Sequence, residues 1–290
     1  MLKLALPKGS LEEQTLRLFE QADLPVKKEF RGYNPIITDP RISQVKILRP
    51  QEIPKYIEEG YFDLGIAGVD CVLESEADVE LVADLPYSKQ SSDPVRMVIA
   101  VSEESDISKP ADIPSGSRVS TEFPNLTKKF FDEIGVAVKV SYSYGATEAK
   151  IPELMDVVVD LTETGETLRK NRLKIIGSII ESTTKLIANK ESWRNPGTKK
   201  AIEEIRTLLT GVIEARGKVL LSMNIPKTKL DDLVNALPAM KKPTIAELYG
   251  HDYYAVETVV QKSEVNILIP ELKKRGAEDI LELDIQKVVR

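Results

Sequence analysis

The chain has 290 residues, 42% hydrophobic and 30% charged, a composition typical of a soluble globular protein with two or three domains. Forty Lys and Arg against 46 Asp and Glu give a net charge of −6, which argues against a nucleic-acid binder but permits a binder of phosphorylated small molecules if positive charge is local. No stretch is long and apolar enough for a signal peptide or a membrane span, and the single cysteine, Cys71, excludes an internal disulfide framework, so a cytoplasmic protein is expected.

In chain order, LKLALP predicts a strand and LEEQTLRLFEQA a helix with Leu11, Leu18, Phe19 and Ala22 on one face. Ser10 and Glu13 have capping-box spacing, which places Lys8 and Gly9 at a helix start, a candidate anion site and equally a surface turn. VKIL is a strand, RPQEIPKYIEEG a helix, and DLGIAG a buried strand ending in a turn at Val69–Asp70. Arg49 and Asp70 each follow directly on a strand, where open α/β sheets bind their ligands. DPVRMVIAVS is a strand, and SRVSTEFPNLTKKFFDEIG is strand, turn and helix with Pro124 in the first helical turn. AVKVSYSYGATEAKIPELMDVVVD then reads as strand, helix and strand.

VVVDLTETGETL, residues 157–168, closes that strand with Asp160 and gathers Thr162, Glu163, Thr164, Gly165, Glu166 and Thr167 at its mouth. Three β-branched residues favour a buried strand, and Gly165 permits a positive φ or close backbone approach. Such a turn into a helix makes a backbone anion site, although an ordinary βα turn capped by threonine would use the same residues. LKIIGSIIESTTKLIANK returns as a long β crossing, NKESWRNPGT reads as an exposed loop, and TKKAIEEIRTLLTGVIEAR as an amphipathic helix. The last ~75 residues spell β-α-β-β-α-β, a ferredoxin-like unit. Two crossings, near 91–100 and 175–190, suggest one lobe inserted in another.

Conventional nucleotide loops are absent, and with one His and one Cys neither a Cys/His zinc site nor a Ser/His/Asp set can be assembled. His251, beside Gly250, reads as a turn residue. Any metal should be a hard ion on oxygens, Mg²⁺, held mainly by substrate phosphates and not by a protein metal site.

The 157–168 stretch resembles the phosphoribosyl-diphosphate (PRPP) loop of phosphoribosyltransferases, departing from its commonest form in having Leu161 where a second acid is usual. Taken with it, LPKGSL, LRPQEIPKYIEEGYFDLGIAGVD, STEFPNLTKKFF and DLTETGETLRKN resemble the ATP phosphoribosyltransferases, the first enzymes of histidine biosynthesis, in their long form. One departure lies before the loop, where Lys150 and Pro152 stand without the glycine common in that family.

The resemblance implies an α/β fold: a two-lobed catalytic unit of type II periplasmic-binding-protein kind, followed by a βαββαβ (ACT-like) regulatory domain. It implies residues 1–95 and 182–211 in lobe I, 96–181 in lobe II, and 212–290 in the regulatory domain. It further implies that N1 of ATP attacks PRPP and releases pyrophosphate, with catalytic roles for Asp160, Glu148, Lys8 and Arg49. The 5′-phosphate would lie on Thr162, Glu163, Thr164, Gly165, Glu166 and Thr167, and ATP on Lys8, Gly9, Arg49 and Asp70. Histidine would inhibit through Asn224, Met240, Thr244, Val259 and Asp279, in a homo-oligomer expected to be a hexamer. The rival readings are a non-enzymatic two-lobed ligand-binding or sensor protein of the same fold, and a different phosphoribosyltransferase.

Overall fold

Leu4, Ala5, Leu6, Leu64, Ile66 and Ala67 are all fully buried, because the strands that carry them are covered on both faces and can spare no polar side. These strands belong to a computed structural model that describes residues 1–29, 32–87, 95–237 and 242–290. The chain divides into two units, Met1–Thr207 and Leu208–Arg290. That division and the boundary expected at 211/212 both fall inside one continuous helix, Pro196–Ala215. Among the described residues no helix is long and apolar enough to cross a membrane.

The first unit begins with β1 (Leu2–Pro7), a short ribbon of β2 (Val26–Lys27) and β3 (Ile36–Ile37), β4 (Ile42–Leu48), β5 (Leu64–Gly68) and β6 (Glu80–Asp84). The chain then crosses into β7 (Val95–Ser102), β8 (Arg118–Thr121), β9 (Lys139–Tyr142), β10 (Val157–Thr162) and β11 (Leu173–Ser182), and returns through β12 (Thr184–Ala188). Two five-stranded sheets result, ordered β4-β1-β5-β12-β6 and β11-β7-β10-β8-β9. Read from β9, the second sheet repeats the order of the first: second strand, first, third, crossing strand, fourth. The crossing strands β12 and β7 run antiparallel to their neighbours. This doubled, mutually inserted arrangement is the two-lobed type II periplasmic-binding-protein architecture.

Parallel pairing decides where the functional residues fall. β1 runs parallel to β4 and β5, so Lys8, Arg49 and Asp70 all follow strands that end at one edge of the first sheet. β8 runs parallel to β10, so Glu122 and the 160–167 segment leave the second sheet at one edge as well. Helices packed on the sheets complete the cores, with Ile53, Ile57 and Val72 buried in the first lobe and Phe123, Phe131 and Val159 in the second.

The second unit places β13 (Lys218–Pro226), helix Leu230–Ala236, β14 (Thr244–Glu247), β15 (Tyr253–Gln261), helix Val265–Lys274 and β16 (Glu278–Asp284) in the expected βαββαβ order. Its sheet is ordered β14-β15-β13-β16 with every pair antiparallel. Residues of β13 alternate strictly: Val219, Leu221, Met223 and Ile225 pack against Leu233, Leu268 and Leu272, while Leu220, Ser222 and Asn224 face away.

Four local readings are corrected. Ser10 does not cap the first helix, which spans Glu12–Gln21 with Leu11 before it; Glu12, not Glu13, reaches back to the Gly9 N–H at 3.4 Å. Val69–Asp70 opens the helix Val69–Ser75 and is not a turn. The helix expected before β10 shrinks to a 3-10 turn, Thr147–Lys150, because Pro152 disfavours helical backbone at Ile151. The supposed loop at 189–198 is helical over Lys190–Arg194, where the Asn189 side chain accepts from the Glu191 and Ser192 N–H groups at 3.0 Å, and Pro196 then starts the long helix.

Candidate active site

Between the two sheet edges of the first unit lies a cleft of about 420 Å³. Asp160, Thr162, Glu163, Thr164, Glu166 and Thr167 line it from the second lobe, with Glu122 and Phe123 beside them. Gly68, Asp70, Cys71, Ser182 and Thr184 line the other side. Lys8, Gly9, Arg49, Gly165 and Glu148 are outside this lining, although Ser10, Leu11, Pro50 and Gln51, near neighbours of the first three in sequence, are within it.

The 160–167 segment is shaped by its own hydroxyls. Gly165 takes φ +74°, a left-handed conformation that side chains resist, and a Cβ there would meet Ile175 Cδ1 at 3.3 Å. Thr162 Oγ1 accepts from the Gly165 N–H at 2.8 Å and Thr164 Oγ1 from the Glu166 N–H at 3.3 Å. The helix Glu166–Lys170 closes its first turn only with Arg169 N–H to Gly165 O at 3.1 Å, which leaves the Thr167 and Leu168 amides before the first intrahelical bond. The two threonine hydroxyls thus hold the turn in shape by occupying the Gly165 and Glu166 amides.

Asp160 is the most perturbed carboxylate of the cleft. The strand does not stop at Asp160 but runs on through Thr162, and burial within it pushes the Asp160 acid up to about 6; the charges of Glu148 and Glu122 add to the rise, and only the Leu161 N–H, 2.7 Å from Oδ1, opposes it. Glu148, on the Thr147–Lys150 turn, is near enough for its charge to act on Asp160. That turn is pinned from beneath: Lys150 Nζ donates to Ser143 Oγ at 2.6 Å, and Ser143 Oγ lies 2.9 Å from Thr147 Oγ1, with Ser143 and Thr147 both buried.

Opposite, Asp70 is buried and receives hydrogen bonds from the Ser182 hydroxyl and, at 3.4 Å, from the Cys71 thiol. Burial, with Asp70 alongside, holds that thiol well above its ordinary pKa, so Cys71 is a neutral donor. Gly68 admits no side chain, because a Cβ would lie 2.1 Å from Asp70 Oδ1. Lys8, outside the lining, donates to Tyr33 Oη at 2.7 Å and lies 4.3 Å from the centre of its ring. The Lys8 hydrogen bond and charge lower the Tyr33 phenol, and the charges of Lys28 and Arg49 act in the same direction.

Glu122, Ser182 and Tyr33 were missed in the sequence. Glu122 follows β8 directly, so the strand-end rule that selected Asp70 would also have found it. Ser182 sits 112 residues from Asp70, and no sequence signal joins them.

In the second unit, Asn224, Thr244 and Val259 fall on the face of the sheet turned away from its helices, opposite Ala255, Glu257 and Leu220 respectively. Asp279, at φ +49° beside the register shift of β16, accepts from Asn224 Nδ2 at 2.9 Å. Leu281 and Leu283, which share this face, are 58% and 46% exposed, an uncovered apolar surface. Met240 lies outside the described residues.

Among the described residues no three His, Cys, Asp or Glu side chains are grouped to hold a metal ion. The cleft offers hydroxyls and backbone amides that suit an anion and carboxylates that suit hydroxyl donors, while Lys8 and Arg49 stand outside its lining.

Comparison with known proteins gives the family. The family model for ATP phosphoribosyltransferase matches residues 49–211, and that described as HisG, C-terminal domain, matches 215–287. The ATP phosphoribosyltransferase of Pelotomaculum thermopropionicum is 47% identical over 288 residues, covering 99% of both chains. That of Chlorobaculum parvum is 47% identical over 289 residues, covering 100% of this chain and 98% of its own. Among solved structures, a chain of the ATP phosphoribosyl transferase (HisG:HisZ) complex from Thermotoga maritima superposes with a TM-score of 0.62 at 29% identity, covering 72% of this chain and 99% of that one. This chain belongs to the ATP phosphoribosyltransferase family.

Proposed function

We propose that the cleft of this phosphoribosyltransferase holds PRPP on the Asp160–Thr167 segment and ATP between that segment and the rim of the first lobe. N1 of the adenine attacks the anomeric carbon of PRPP, the bond to the pyrophosphate oxygen breaks, and pyrophosphate leaves with the bonding electrons. One observation carries the reading: the acid and hydroxyls of the Asp160–Thr167 segment line a cleft that faces a second wall, as a reaction joining two polyanions requires. The 5′-phosphate takes the loop hydroxyls and the amides near Thr167, displacing the Thr162 and Thr164 contacts that hold the turn. Asp160 and Glu148 accept from the ribose hydroxyls, and their charge favours a cationic sugar in the transition state. A ring nitrogen needs no base, which fits a chain with a single histidine.

Lys8 and Arg49 meet the triphosphate or pyrophosphate oxygens, and Gly9 allows their close approach. Asp70 accepts from the nucleoside. The donor set suits a hard cation shared with substrate phosphates better than a protein cage, so Mg²⁺ would be held chiefly by those phosphates near Asp160. When bound, it neutralises charge on the leaving pyrophosphate. The product belongs to the first step of histidine biosynthesis in the cytoplasm.

The second unit is proposed as the regulatory part, with histidine held by Asn224, Thr244 and Asp279 against Val259 and Met240. Its uncovered sheet face supports assembly of copies into a homo-oligomer, proposed as a hexamer. A non-enzymatic binding protein is not favoured, since relatives matching the whole length are named as enzymes. Incubation with ATP, PRPP and Mg²⁺, followed by mass spectrometry, should show phosphoribosyl-ATP and pyrophosphate in equal amounts. Pyrophosphate release that ignores ATP would reject the reading.

A further inference from the structure

Outside the cleft the two lobes of the first unit are joined by a contact that the chemistry above does not use. Helix Val69–Ser75 of the first lobe begins at the cleft residues Asp70 and Cys71. Helix Pro124–Glu133 of the second begins just after the cleft residues Glu122 and Phe123. Glu74, late in the first helix, accepts from Asn125 N–H at 2.9 Å on one carboxylate oxygen and from Leu126 N–H at 2.9 Å on the other. Asn125 Nδ2 returns a third bond to the Glu74 carbonyl at 2.9 Å.

The sequence makes this a cap supplied by the other lobe. Pro124 has no N–H, so Asn125 and Leu126 carry the first amides of the helix, and Phe123 before it makes no side-chain cap. A carboxylate at a helix start also meets the positive end of the helix dipole. Burial pushes the Glu74 acid above its ordinary range, the mark of a group drawn out of water to reach these amides.

We propose that Glu74 is a positioning residue, an interlobe clamp that fixes the distance between the Asp70–Cys71 wall and the Glu122–Phe123 wall and so sets the width of the cleft. The proposal rests on the reading of that cleft as the site of phosphoribosyl transfer. Two polyanions must meet across the cleft, and walls already held at their working separation spare the substrates the cost of ordering them on binding. Loss of the clamp weakens the binding of both substrates together, because each then has to close the lobes at its own expense, while the reacting atoms keep their neighbours.

The test uses Glu74→Ala and Glu74→Gln in the full chain, with kcat, both KM values and the melting temperature measured beside the wild type. Glu74→Ala should raise KM for ATP and for PRPP by about ten- to a hundredfold, with kcat within about threefold. Glu74→Gln keeps one accepting oxygen but turns an amino group on the other amide, and should raise both KM values less. A residue that only stabilises its helix would lower the melting temperature and leave both KM values at the wild-type level, which overturns the clamp. Should Glu74→Ala fail to fold, Glu74→Gln decides alone by the same criterion. Wild-type protein without phosphoribosyl transfer would remove the site reading and the clamp with it; active wild type with unchanged variants would remove the clamp only.

Discussion

Replacing Asp160 by Asn should make the folded protein more stable above neutral pH. The Asp160 acid rises from 3.8 to about 6 in the folded chain, chiefly through burial. A carboxyl raised on folding binds its proton more tightly in the native state than in the unfolded one. Stability therefore falls as pH rises from the unfolded value, near 4, through the folded value near 6, and the full cost stands above that. About two pKa units at ~1.4 kcal/mol each give a cost on the order of 3 kcal/mol at pH 8. The amide introduced by Asp160→Asn would carry no charge and keep an oxygen for the Leu161 N–H. The variant should accordingly be more stable than wild type by ~2–3 kcal/mol at pH 8 and equal to it near pH 4, while turnover falls about ten- to a hundredfold. Calorimetric melting of both proteins at the two pH values reads the first effect, and turnover with ATP and PRPP the second. A variant less stable than wild type at pH 8, or a gain that does not depend on pH, would refute the electrostatic account of this residue.

The other predictions follow from the same site. Wild-type kcat/KM should fall as pH drops through about 6, where Asp160 takes up its proton, and Asp160→Asn should lack that limb in a pH–rate profile. Gly165→Val should abolish PRPP affinity in calorimetry, since it forces a β-branched residue to φ +74° and blocks approach to the backbone. Lys8→Ala or Arg49→Ala should weaken ATP or PRPP binding, and added salt should weaken wild-type binding; unchanged affinities would make both residues surface decoration. Histidine should inhibit the full chain and bind it in calorimetry, whereas a chain ending near Arg216 or carrying Asn224→Ala should lose that inhibition, and equal inhibition of all three would reject the second unit as regulatory.

Much of the fold was legible because periodicity and strand-end logic are local. The apolar runs of β1, β5 and β10 mark strands buried on both faces, and the alternation in β13 marks a sheet with one covered face. Asp70 and Asp160 stand out for a related reason, as acids at the C-terminal ends of apolar strands, Asp70 just past β5 and Asp160 in the last residues of β10. What spacing alone cannot give is the partner. Ser10 and Glu13 have capping-box spacing, yet the helix starts two residues later and Glu12 faces the chain end instead. Glu74 has no neighbour in sequence that hints at Asn125, 51 residues on. Ser182 reaches Asp70 only because the crossing strand returns beside β5. Pairs of this kind depend on how the lobes close on one another, which is settled by packing between distant segments.

Phosphate binding at the 160–168 segment is the central claim. Amide hydrogen exchange of the full chain with and without PRPP and Mg²⁺ tests this without requiring turnover. Slowed exchange should concentrate at the amides of Thr162 to Leu168, with a weaker effect at Glu122 and Phe123, and the Gly165→Val protein should show none. PRPP-dependent protection that falls elsewhere, or that persists unchanged in Gly165→Val, would contradict the proposed site.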